Sequence, residues 1–190
     1  MTDLVVGMDG RARCPWAAGE PDYQAYHDQE WGQRVRGDDA LYERLTLEAF
    51  QSGLSWLIIL RKRPGFRAAF DGFRTEKVAG YGPADVARLL ADTGIVRNRS
   101  KIEAAIQNAR AALDLPDGLG RLLWSFAPPP RPRPAALADV APTTPESTAM
   151  AKELKRRGFR FVGPTTAYAL MQATGMVDDH LAGCHVPVVR

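Results

Sequence analysis

Apolar residues along this 190-residue chain recur at helical spacing and almost nowhere in strict alternation. Leu41, Leu45 and Ala49 repeat every fourth position. Asp38 and Asp39 stand before them as helix-capping acids, and Gly53 follows as a stop, which predicts a helix over 39–52. Ser55 opens a segment from Trp56 to Leu60, closed near Pro64. Thr75 and Pro83 start two short helices, the second running through Val86, Leu89 and Leu90 to Gly94. Asn98 or Ser100 caps another, with Ile102, Ala105, Ile106, Ala109 and Leu113 on one face. A short helix is predicted over Leu122 to Phe126. Ser147 caps a helix to Arg157, and Pro164 begins one that reaches Gly175. No period-2 strand pattern persists and no internal repeat is present, so the predicted fold class is all-α.

Residues 127–145 break the pattern. Seven prolines there remove helical donors and favour extended backbone. Leu137 and Val140 can still pack, which predicts a surface loop rather than a flexible linker. The length suits a single domain of one core or two small helical lobes. A hydrophobic content of 45% and a net charge of +3 exclude disorder for the chain as a whole. The longest apolar run, ending at Arg61, falls short of the roughly 20 residues of a membrane span. The first residues lack the basic start and apolar stretch of a signal peptide. Two cysteines cannot make a disulfide framework. A soluble, cytoplasmic protein without membrane association is expected.

Charge changes the picture locally. Residues 1–60 carry 5 basic and 10 acidic side chains, and the remainder carries 20 basic and 12 acidic. Arginine outnumbers lysine 20 to 5. Phosphate recognition explains such a bias, and so does a GC-rich genome, which the many Ala, Gly and Pro favour for most of it. Clustering is more informative. KRRGFRFVGP carries Gly158 and Gly163 in a turn before a helix N-terminus, with Lys152, Lys155, Arg156, Arg157 and Arg160 around it. Such a turn suits phosphate. A second basic turn, GIVRNRSK, adds Arg97, Arg99 and Lys101. Together they fit a duplex backbone.

Two further constellations stand out. Twelve residues separate Cys14 from His27 near one end, and three separate His180 from Cys184 near the other. A Cys2His2 set is sufficient for tetrahedral zinc in a structural role; a Cys14–Cys184 disulfide or unrelated buried thiols are the alternatives. His185 is a substitute ligand or a neighbour of the site. In the 39–52 helix, Leu41, Leu45, Glu48 and Ser52 share the core-facing stripe, so Glu48 points inward. It serves either a structural ion pair or a site. Trp16, Tyr23, Tyr26, Trp31 and Trp56 fall in the same third of the chain. Aromatic walls and one inward carboxylate suit a flat, electron-poor ring.

RCPW (13–16), YHDQEWG (26–32), LEAFQSGLSW (47–56), GIVRNRSKI (94–102), WSF (124–126) and residues 155–184 together resemble the DNA-3-methyladenine glycosylase I family, a branch of the helix-hairpin-helix glycosylases. The resemblance implies that fold, over one glycosylase domain at 13–190 behind an extension at 1–12. It implies structural zinc on Cys14, His27, His180 and Cys184. It makes Glu48 the catalytic residue, with Tyr23, Tyr26, Trp31, Trp56 and Trp16 holding the base. It places Gly53 and Leu54 where the family wedges into DNA, and Gly158–Gly163 on phosphate, helped by Arg156, Arg160 and Arg99. The implied reaction is base-flipping hydrolysis of the N-glycosidic bond in double-stranded alkylated DNA, with 3-methyladenine as product and no lyase step. The enzyme is expected to act as a monomer. Asp178 and Asp179 precede His180; Asp179 is expected either to activate water or to orient the zinc ligand.

Overall fold

The computed structural model describes residues 3–188, and its described residues are mostly helical. The helices are α1 (Pro21–Gln29), α2 (Asp38–Gln51), α3 (Trp56–Ala69), α4 (Thr75–Ala79), α5 (Pro83–Ala91), α6 (Arg99–Leu113), α7 (Gly118–Trp124), α8 (Pro145–Arg156) and α9 (Pro164–Ala173). One strand pair escapes the sequence pattern. β1 (Val5–Val6) runs antiparallel to β2 (Ala12–Arg13), and at two residues each neither shows a periodicity.

Helix α2 is the axis of the molecule, packing on α3, α6, α7 and α9. Being surrounded, it buries every residue from Leu45 to Phe50 rather than a single stripe. The main core joins Leu41, Tyr42 and Phe50 to Phe66, Phe70, Ile102 and Leu170. A smaller core of Cys14, Leu181, Cys184 and Val186, with Trp16 and Val140 against it, gathers the two chain ends.

Several expectations need correction. Asp38 and Asp39 do not cap their own helix, whose N-cap is Gly37. Asp38 accepts from the N–H groups of Leu119 and Gly120 at the start of α7. Asp39 accepts from the N–H and hydroxyl of Thr75 at the start of α4. Both acids satisfy orphan helix donors, but across space. Pro64 does not end α3, which continues to Ala69. The missing hydrogen bond is offset by burial of Phe66 and Ala69 one turn later. There Gly65 lies so close to Gly94 that a Cβ would sit 2.6 Å from its carbonyl oxygen. Thr144, not Ser147, caps α8; Ser147 closes the reciprocal capping box. The helix expected at 122–126 begins earlier, at Gly118.

Candidate functional site

A cavity of about 330 Å³ opens between α1, α2, α3 and α9. That is at the small end of ligand pockets, which run to ~300–1,000 Å³. Trp16, Tyr23, Tyr26, Trp31, Trp56 and Glu48 all line it, together with Gln51, Gln172 and Asp179. The aromatics brace one another: Trp16 stands edge-on to Tyr23 at 6.0 Å and to Trp31 at 5.0 Å, and Tyr26 is tilted on Trp56 at 5.4 Å. The Tyr23 hydroxyl accepts from the Leu57 N–H and so caps α3, a task Ser55 does not perform. The ring is thereby fixed at both ends.

Glu48 has no hydrogen-bond partner among the described residues and is buried. Burial pushes its carboxyl up from 4.5 to about 8, with the Arg44 charge one turn away pulling weakly back. The same burial raises the Tyr26 phenol. An unpaired carboxyl in a cavity is costly unless a ligand completes it. Asp179 differs. Its carboxylate accepts from Tyr168, Gln172 and Arg131.

Behind the aromatic wall, donor atoms of Cys14, His27 and Cys184 lie within 4.8 Å of one another, all buried. Both thiols are free, so the disulfide alternative is not realised. The His180 ring lies 5.0 Å from that of His27, and its Nε2 is buried without a partner. Asp28 pairs with His27 Nδ1 at 2.8 Å, and Asp178 with His180 Nδ1 at 2.9 Å. Asp28 thereby turns His27 Nε2 toward Cys184 Sγ, 3.5 Å away, whereas His180, the fourth expected ligand, is not part of that three-residue group. Asp178, rather than Asp179, orients His180. The Cys184 thiol is held below its ordinary range by the hydrogen bonds of Cys14 and His27. Two thiols and one oriented imidazole, with the orphaned buried Nε2 of His180 beside them, fit a metal ion's donor set. His185 sits outside, its Nε2 3.3 Å from Asp28.

On another face, α8 and α9 pack together and are joined by residues 157–163. Gly158 has φ +89°, and a Cβ on Gly163 would meet nothing within 4 Å, so the turn is open to solvent. Arg160 is exposed, while Arg156 and Arg157 both pair with Glu153. Asn108 of α6 fastens the turn, bonding both the N–H and the carbonyl of Arg160. In the second basic turn Arg99 is exposed beside Glu103. Lys101 leaves that set: it is buried and donates to the carbonyls of Phe50 and Ser52 at the end of α2. The turn it holds projects Gly53, at φ +79°, and exposed Leu54.

Sequence spacing missed Gln51, Gln172, Asn108 and the wall formed by Leu137 and Val140. Gln51 follows Glu48 by three positions and so shares its face, a signal that was available.

Residues 16–187 match the methyladenine glycosylase family. The chain is 44% identical over 177 residues to DNA-3-methyladenine glycosylase 1 of Escherichia coli K12, covering 90% of this chain and 95% of that one. It is 40% identical over 180 residues to DNA-3-methyladenine glycosylase of Haemophilus influenzae Rd, covering 90% and 96%. Its structure resembles that of 3-methyladenine DNA glycosylase I from Staphylococcus aureus, with a TM-score of 0.89 at 34% identity, over 94% of this chain and 98% of that one. A structure of a 3-methyladenine DNA glycosylase I variant in complex with 3-methyladenine matches with a TM-score of 0.87 at 34% identity, over 92% and 97%.

Proposed function

The chain belongs to the methyladenine glycosylase family, and from that premise we propose that it excises 3-methyladenine from double-stranded alkylated DNA, hydrolysing the N-glycosidic bond and leaving an abasic site. The observation that carries this reading is the unpartnered Glu48 carboxyl in an aromatic cavity.

The target base must leave the stack, at a cost of a few kcal/mol that is smaller for a damaged base. Methylation at N3 makes the purine cationic, so it already departs readily as a neutral base. The enzyme's work is recognition and charge stabilisation. Buried without a partner, the Glu48 carboxyl holds its proton near neutral pH. A cation arriving between the Trp and Tyr faces draws that carboxyl to its anionic form, which then accepts from the exocyclic amino group. A neutral purine supplies no such charge. A guanine offers O6, an acceptor, where Glu48 needs a donor.

The remaining assignments follow the same reading. Cys14, His27, His180 and Cys184 would hold structural zinc, which when bound supplies a cross-link between the chain ends. The α8–α9 pair would act as the helix-hairpin-helix unit, with Gly158, Gly163, Arg160 and Arg156 on the DNA backbone and Arg99 beside it. Gly53 and Leu54 would enter the duplex beside the extruded base. One glycosylase domain would span 13–190 and act as a monomer. No lysine lines the cavity among the described residues, which supports hydrolysis without a lyase step.

A lesion panel tests the proposal. Duplexes carrying 3-methyladenine, 7-methylguanine or hypoxanthine are incubated with the protein and the released bases are separated. Release of 3-methyladenine in large excess over the others is expected. Binding to damaged duplex without release of any base would leave only a damage-binding module.

A further inference from the structure

The proline-rich segment carries two arginines, Arg131 and Arg133, on either side of Pro132, and they engage two consecutive aspartates. Arg133 Nε donates to Asp178 at 2.9 Å, and its Nη1 donates to the Val186 carbonyl at 2.8 Å. Arg131 Nη2 donates to Asp179 Oδ1 and approaches the Tyr168 hydroxyl, each at 2.8 Å. Pro132 restricts itself and its predecessor to extended backbone, which pre-sets the spacing of the two guanidinium groups. The segment is tied down again where Pro134 accepts from the Ala182 N–H. A few residues on, Leu137 and Val140 form part of the cavity wall. The stretch from 131 to 140 is thus a strap laid over the 178–186 end of the chain, with its far side in the cavity.

Asp179 is the residue the strap acts on. Its side chain has 0% exposure, yet it borders the cavity. Tyr168 and Gln172 of α9 bond one carboxylate oxygen, and Arg131 bonds the other. Arg131 itself is outside the cavity wall, with its side chain 48% exposed. The cation thus pairs with Asp179 without occupying the space a base would fill. A carboxylate fixed before the base arrives stabilises positive charge without reorganising at the moment of reaction.

We propose that Arg131 is a positioning residue: from the proline-rich strap it fixes the Asp179 carboxylate on the wall of the base cavity. The proposal rests on the glycosylase reading. An exposed ion pair would otherwise be expected to matter little. Here one partner is fully buried, and loss of the other leaves a carboxylate oxygen without its donor.

The test is R131A and R131K in the full chain. Single-turnover release of 3-methyladenine, affinity for free 3-methyladenine, affinity for duplex at several salt concentrations, and melting temperature are measured together. In R131A the single-turnover rate should fall about tenfold or more, the order that misplacing an active-site group costs. Affinity for the free base should weaken with it, while duplex affinity and its salt slope stay within about twofold of wild type, because no phosphate contact is lost. R131K keeps the charge but not the fork, and should lie between R131A and wild type. If R131A does not fold, a rate deficit in R131K without a change in duplex affinity carries the proposal. Unchanged rate and base affinity in the folded variants would overturn it. So would a loss confined to duplex affinity and salt slope, which would make Arg131 a backbone contact. A wild-type chain that released no 3-methyladenine would overturn the glycosylase reading and this proposal with it.

Discussion

Glu48 shows how far a single residue can be read. Its spacing from Leu41 and Leu45 alone places it inward. What spacing cannot supply is the absence of a partner, and that absence gives the residue its chemistry. The folded chain holds this proton up to about 8, whereas the ordinary value is 4.5. Between those values the unfolded chain has released a proton that the folded chain keeps. The unfolded state binds fewer protons there, so stability falls as pH rises through that window. Glu48→Gln removes the effect. The variant's melting temperature, relative to wild type, should climb across the window and level off above it. A difference that stays constant with pH would show that Glu48 is not held neutral in the fold. Asp179 was less legible. Two adjacent aspartates before a histidine do not reveal which one meets the ring and which one meets an arginine 48 positions away.

At the scale of elements, most helices were readable because their apolar periodicity and capping residues agree. The misreadings share one cause: a local signal was answered from elsewhere in space. Asp38 and Asp39 look like caps and are caps, but of α7 and α4. Pro64 looks like a stop and is overridden by the core contacts of Phe66. Lys101 looks like part of a basic surface and instead closes the carbonyl end of α2. A cation there meets the negative end of the helix as well as two acceptors. Lys101→Met should cost about 1–3 kcal/mol in urea unfolding, since both carbonyls lose a charged donor. Excision from duplex should fall with it, because the Gly53–Leu54 turn is released. Wild-type stability in that variant would mean the two bonds are dispensable. The helical pair α8–α9 makes a different prediction. Arg160→Ala should weaken binding to any duplex sequence and reduce the salt slope by about one. A loss confined to particular sequences would contradict a backbone role.

Across the whole molecule, the acidic first third supplies Glu48 and the aromatic residues of the cavity, and the basic remainder supplies the rest of its wall and the two basic outward-facing turns. The two chain ends meet at the thiol–imidazole cluster, which is also part of the cavity's support. Trp16 packs at 5.2 Å from His27, and Trp31 at 4.7 Å from His180. The proposed zinc is therefore expected to brace the base site as well as the termini. Metal analysis should find about one zinc per chain. Stripping it with a strong chelator should lower the melting temperature and weaken binding of free 3-methyladenine together. A metal-free chain with an unchanged melting temperature would remove zinc from the account. Three of the four expected ligands, Cys14, His27 and Cys184, come together as their residue types and positions near the two ends suggest, while His180 lies beside that group. The arginine strap was not legible, since proline-rich sequence specifies extended backbone but not what that backbone crosses.

The central claim is that Glu48, unpaired in its aromatic cavity, recognises the cationic base and makes its removal possible. Single-turnover release of 3-methyladenine from one duplex, by wild type and by Glu48→Gln, tests it most directly, with duplex affinity measured in parallel. The account predicts a rate loss of about tenfold or more, the scale of a lost charge-stabilising contact, with duplex affinity retained. Equal release by the two proteins would contradict it.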